Sequence, residues 1–267
     1  AWKLERKIGQ EMERIIDDRK LIDSRDHPFD NTRIFKVSRY SCNPTGQLLR
    51  PRILWNIAKQ YNSDEGVALT CGAIVEIVHA DSLALDDIMD KARIRRHKLA
   101  THARFGLDRT ILSCFNLNPQ IMRAISSLPL DHDSREEIRE EINSVQLFLC
   151  QGQEYDLSQT NKAKTLDDFA KIFELKTGSL IGAAAAIGGI IGYTNRESVE
   201  QLRRFGAYLG IAYQFFDDWK DRHCNVHEIG KSVGLDRRKK TPFDVAKPES
   251  IMAEYLRYCK MAFDELS

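Results

Sequence analysis

Apolar residues recur at intervals of three and four along almost the whole chain, as at Leu4, Ile8, Met12 and Ile15 and again at Ile138, Ile142, Val145 and Leu149. That spacing gathers them on one face of a helix, and no stretch sustains the alternation of a half-buried strand. The expected fold class is all-α. Breaks fall at 23–33, 43–46, 116–120, 127–134 and 193–198, with a longer polar stretch at 222–247. About nine or ten helices fit between them. With no compositional linker and no solenoid repeat, residues 1–267 read as one single-domain helical bundle. A polar loop as long as 222–247 is uncommon in a compact domain unless it works as a lid, so it is expected to cover a site.

Composition narrows the function. Lys plus Arg number 40 against 39 Asp plus Glu, so no bulk basic field favours nucleic acid or an anionic membrane surface. Any attraction for an anion must be local. The longest uncharged run, SLIGAAAAIGGIIGYTN from Ser179, is shorter than the ~20 apolar residues of a membrane span. Its small residues predict helices packed closely in a core. The six cysteines form no CxxC pair, which predicts buried free thiols in a reducing compartment. The amphipathic start AWKLERKIGQ is unlike a secretory signal, and the expected location is cytoplasmic. The chain opens on alanine, so removal of an upstream segment, including one that directs it to an organelle, is left open.

The chemistry lies in two clusters of acids. In LALDDIMD, Asp86 and Asp90 project from one helix face with Asp87 beside them, and FFDDWKD repeats the arrangement with Asp217, Asp218 and Asp221. Like charges at that spacing destabilise a helix by roughly 0.2–0.5 kcal/mol per pair. One such cluster is usually solvated surface; two, each after an apolar run, can face each other across a bundle. Magnesium is held by a few carboxylates together with water and phosphate oxygens, so the pair predicts a bound polyphosphate. Cationic donors stand nearby in the sequence: Arg95 and Arg96 in RIRRHK, Lys176 beside Thr177 in FELKTGSLIG, Lys231 in IGKSVGLD and Lys239 in RRKKTPF.

The ordered set GQLLRP, EIVHADSLALDDIMD, RRHK, THARFG, GQEYDL, KTGSL, AYQFFDDWKD and GKSVGLD…KKT resembles the trans-isoprenyl diphosphate synthases, the polyprenyl synthetase family of farnesyl and geranylgeranyl diphosphate synthases. The resemblance implies a helical bundle of the isoprenoid synthase type with a central hydrophobic tunnel. It implies a magnesium-dependent prenyltransferase that joins isopentenyl diphosphate to an allylic diphosphate (dimethylallyl, geranyl or farnesyl) by ionisation, condensation and elimination. Asp86, Asp90 and Asp217 would ligate about three magnesium ions, with Asp87, Asp218 and Asp221 as direct or supporting partners. Arg95, Lys176, Lys231 and Lys239 would hold the allylic diphosphate. Lys176, Thr177 and Gln214 would act at the reacting centre, and Gln47, Arg50, His79 and Arg96 fall at the isopentenyl diphosphate site. Asp81, Ser82 and Val78, before the first cluster, are the chain-length positions. The small Ser82 favours a geranylgeranyl product, with farnesyl and longer chains left open. A homodimer is expected.

The chain departs from the family pattern in places. Gln47 and Leu48 replace a lysine and an arginine at the isopentenyl site, Cys114 and Phe115 replace a Gly-Asp pair, and the loop around DRRKKT is shortened. Losing one charge-assisted contact costs about 1.5–3 kcal/mol. A class I terpene cyclase, a transferase with another acceptor and a noncatalytic partner subunit therefore stay open as alternatives.

Overall fold

The structure, a computed structural model, describes residues 2–16, 32–43, 46–158, 160–223 and 240–267. Among the described residues eleven α-helices occur in this order: α1 (Trp2–Ile16), α2 (Thr32–Cys42), α3 (Leu49–Gln60), α4 (Glu65–Met89), α5 (Thr101–Phe105), α6 (Leu107–Ser126), α7 (His132–Ser158), α8 (Leu166–Phe173), α9 (Ser179–Ile190), α10 (Arg196–His223) and α11 (Pro248–Asp264). One core joins α1, α3, α4, α6, α7 and α9 through Ile8, Leu54, Ile74, Ile121, Ile142 and Ile187. A second gathers α8, α10 and α11 around Phe169, Phe215 and Tyr258. There Phe173 and Phe215 meet edge to face with centroids 5.0 Å apart, a favoured aromatic geometry.

Helix α4 is the axis of the site. Asp64 caps its start, accepting the Val67 N–H at 2.9 Å. Its middle is then buried nearly all round. Among the described residues α4 alone is long and apolar enough to cross a membrane, yet 72% of its most apolar window is buried inside the bundle. The charges of Glu76 and Asp81 keep it from reading as an uncharged run. The run after Ser179 forms α9, whose alanines and glycines are buried as the composition predicts.

One predicted break is corrected. The break at 116–120 does not exist: α6 runs through Pro119. Pro119 removes one backbone donor, but it lies on the exposed side, while Ser113, Cys114, Leu117, Ile121 and Ile125 bury the opposite face. Each such aliphatic contributes about 1.5–3 kcal/mol on burial, which outweighs the ~3 kcal/mol of an interior proline. The all-α expectation holds, with one short strand pair among the described residues. β1 (Ile94–Arg95) and β2 (Lys98–Leu99) pair antiparallel, a unit too short to show alternation.

The thiols are free among the described residues, but not all are buried: Cys42, Cys71 and Cys114 are, whereas Cys150 is exposed. Most of the 222–247 stretch, with Cys224, Lys231 and Lys239, lies outside the described residues, as does the 23–31 part of the first break.

Asp81 points from α4 into the α6 interface, where the Cys114 thiol donates to it. Its Oδ1 is buried with no hydrogen-bond partner. Next to Cys114 on α6, Ser113 shares a 2.8 Å hydrogen bond with Ser38 of α2. Burial pushes the Asp81 carboxyl up to about 6, opposed by the thiol. The folded protein therefore favours the protonated acid, and that contribution, complete below pH ~4, is lost as pH rises through about 6. Urea unfolding of Asp81→Asn and the parent at several pH values tests this. Their difference should move in the variant's favour by about 2–3 kcal/mol between pH 4 and 8; a pH-independent difference contradicts it.

Candidate functional site

Asp86 and Asp87 occupy the last turn of α4, and Asp90 is its C-cap residue. That end of a helix carries the exposed carbonyls and the negative pole of the dipole, which disfavours acids, and α4 has no basic residue in its last turn. Compensation comes from two other elements. Lys176 Nζ bridges Asp86 Oδ1 at 3.1 Å and Asp156 Oδ2, from α7, at 2.7 Å. Arg95 donates from Nη2 to Asp87 Oδ1 at 2.5 Å and to Asp86 Oδ2 at 3.4 Å, and from Nε to Asp87 at 2.8 Å. Burial lowers the Lys176 ammonium, but Asp86 and Asp156 outweigh it and hold it above the ordinary lysine value. The Arg95 guanidinium is likewise raised, with Asp87 the main counterweight to burial.

Lys176 reaches this position because Glu174–Gly178, between α8 and α9, widen into a π-helical turn, a feature frequent at functional sites. Glycines clamp the turn on both sides. A Cβ at Gly152 of α7 would lie 2.8 Å from Lys176 N, and one at Gly210 of α10 would lie 2.5 Å from Gly178 Cα. Its next residue turns the other way. Thr177 Oγ1 donates to Gln214 Oε1 at 3.1 Å, and Gln214 Nε2 donates to Asp218 Oδ1 at 2.9 Å. Two consecutive residues of one turn thus link the first acidic cluster to the second.

Asp87 is buried against Arg95, and burial raises its carboxyl against that guanidinium, so it serves the hairpin more directly than an open metal face. The Asp221 side chain lies outside the described residues. Among the described residues no three His, Cys, Asp or Glu side chains converge to hold a metal unaided.

The hairpin also builds a second basic patch. Its turn residues Arg96 and His97 have φ of 52° and 61°, left-handed values that cost a non-glycine residue roughly 1–2 kcal/mol each. Tyr40 anchors the turn, donating from its hydroxyl to Leu99 O at 2.7 Å with the Lys98 ammonium 3.8 Å from its ring centroid. The left-handed step sends adjacent arginines to different parts of α4. Arg95 meets Asp86 and Asp87, whereas Arg96 Nη2 lies 3.9 Å from Glu76 Oε1, eleven residues earlier and roughly 16 Å away along the axis. Near Arg96 stand Arg50, at the start of α3, and His79. Burial first, then Arg50, Arg96 and Arg95, hold the His79 imidazole well below its usual value, so it is neutral.

Gln47 is exposed and Leu48 is buried in the main core at φ 52°. Ser82 donates to its own helix at His79 O, 2.8 Å, and Val78 is buried. Asp81 faces α6 instead, with Cys114. Asp156 and Glu76 are site residues that motif reading left unassigned. Glu76 had a signal: it is the lone acid in GVALTCGAIVEIVHA, where a buried charge needs a partner.

The polyprenyl synthetase pattern matches residues 31–242. The geranylgeranyl diphosphate synthase of Methanosarcina mazei is 31% identical over 204 residues, covering 76% of this chain and 63% of that protein, so the chain matches less than two thirds of its length. The farnesyl diphosphate synthase of Bacillus subtilis is 31% identical over 208 residues, covering 75% and 70%. In fold, the chain is similar to an FPP/GFPP synthase from Zymomonas mobilis (TM-score 0.82, 24% identity, 99% and 91% covered). It is also similar to a geranyltransferase from Helicobacter pylori complexed with magnesium and isoprenyl diphosphate (TM-score 0.80, 21% identity, 99% and 89% covered). These matches and the ordered site motifs place the chain in the polyprenyl synthetase family.

Proposed function

We propose that this protein is a magnesium-dependent trans-prenyltransferase that joins isopentenyl diphosphate to an allylic diphosphate, with a geranylgeranyl product. The observation that carries the reading is the π-turn, whose Lys176 touches the first acidic cluster and whose Thr177 connects through Gln214 to the second. The names of the Methanosarcina and Bacillus relatives support the reaction class.

The donor set suits a hard cation shared with phosphate. Asp86, Asp90 and Asp217 offer carboxylate oxygens, and the lack of a closed three-residue cage among the described residues fits an ion completed by diphosphate oxygens. Magnesium, when bound, neutralises charge on the leaving diphosphate. Lys176 and Arg95 then have a second anion to serve, and each can turn from its carboxylates to a phosphate oxygen. The oxygens of Thr177 and Gln214, fixed by their mutual hydrogen bond, would steady positive charge on the allylic fragment. Arg50, Arg96 and neutral His79 would hold the second diphosphate. Because Leu48 is a core residue, that grip is weaker than the family pattern, and a transferase with another acceptor is the second reading. The small Ser82 supports the geranylgeranyl length.

Incubation with magnesium, isopentenyl diphosphate and each allylic diphosphate should give a C20 diphosphate. A cyclic hydrocarbon, a prenylated foreign acceptor or no product contradicts the reading.

We also propose a homodimer. Leu107, Ile111 and Phe115 are exposed along one face of α6, Phe115 to 79%, an apolar stripe of the kind that marks an interface. Sedimentation should show a dimer that Phe115→Glu converts to monomer; a monomeric parent rejects it.

A further inference from the structure

We infer that Glu76 is the positioning residue of the acceptor half of the site: a buried carboxylate that sets where Arg50 and Arg96 stand. The inference rests on the reading of that basic patch as the isopentenyl diphosphate site. Glu76 is 2% exposed, in the middle of α4, where a carboxylate is tolerated only when its oxygens are satisfied. Its partners come from three elements. The Gly46 N–H, just before α3, donates to it; Arg96 of the hairpin turn lies 3.9 Å away; and Arg50 of α3 lies within its field.

These groups fit each other closely. A Cβ at Gly46 would lie 2.7 Å from Arg96 Nη2, so the guanidinium rests against the bare backbone of the residue whose N–H Glu76 accepts. Burial lowers both guanidinia; like charge from Arg96 adds to this at Arg50 and from Arg95 at Arg96, and Glu76 opposes it at both. Without it, two guanidinia would stand side by side in a partly desolvated pocket before any ligand arrived. Arg50 Nε is shut from solvent without a hydrogen-bond partner, which leaves a donor for an incoming anion.

The role has a cost that separates it from simple charge attraction. Glu76 has the same sign as a diphosphate, so by charge alone its removal should strengthen anion binding. A positioning role predicts the reverse. It matters more in this chain because exposed Gln47 and buried Leu48 bring no charge, so the patch depends on the arginines that Glu76 arranges.

Glu76→Gln tests the inference. Isopentenyl diphosphate is titrated calorimetrically without magnesium, and steady-state kinetics are measured with the full reaction. The expected result is a Kd and KM for isopentenyl diphosphate raised by about tenfold, with kcat at saturation and KM for the allylic diphosphate changed by less than about threefold. Gly46→Ala, which pushes the Arg96 guanidinium from its seat without touching a charge, should give the same signature and serves if Glu76→Gln does not fold. An unchanged or lowered KM for isopentenyl diphosphate overturns the role of Glu76 alone. A parent protein that takes up no isopentenyl diphosphate overturns the acceptor reading and the role of Glu76 with it.

Discussion

Three carboxylates at the carbonyl end of a long buried helix are the constraint on which the site depends. Neither α4 nor its dipole can neutralise Asp86, Asp87 and Asp90, so cations must come from elsewhere in the chain. The π-turn brings Lys176 from between α8 and α9, and the hairpin brings Arg95. Each provider has an unusual backbone, π-helical in one and left-handed in the other. Surrounding structure holds both: Gly152 and Gly210 leave room for the first, and Tyr40 pins the second. The same cations are those a diphosphate would recruit. Ligand-free neutralisation and the proposed ligand binding would thus be alternative uses of one charge set.

The left-handed step at Arg96 and His97 gives the site its two ends. Arg95 faces the acidic end of α4, where a cation and an allylic diphosphate would meet. Arg96 faces Glu76, where charge is balanced without a metal. The electrostatics differ accordingly. At the first end carboxylates dominate and lysine and arginine are held protonated; at the second, burial and like charge depress the arginines and keep His79 neutral. On the proposed reading, two anionic substrates would be told apart by whether they arrive with magnesium.

Much of this was legible in the sequence. The spacing of three and four showed the helices, and the paired clusters with KTGSL between them marked the candidate site. What escaped has physical causes. Pro119 reads as a break because local propensity cannot see the buried face of α6. The hairpin is too short for a pattern. A π-turn leaves no periodic trace, so nothing in FELKTGSLIG marks Lys176 as a bridge. Asp156 sat inside GQEYDL without a role because its partner is twenty residues away. Asp81 did not escape: an acid beside an expected hydrocarbon tunnel has to turn toward a neighbouring helix and a donor, and it meets Cys114 of α6.

The central claim is that Lys176 neutralises Asp86 only until a metal diphosphate takes its place. Diffraction from crystals grown with manganese and inorganic diphosphate tests it most directly, since anomalous scattering locates the cations. The account predicts manganese at Asp86 and Asp90 and at Asp217, with the Lys176 ammonium off Asp86 and on a phosphate oxygen. Manganese elsewhere, or Lys176 still paired with Asp86 beside a bound diphosphate, contradicts it.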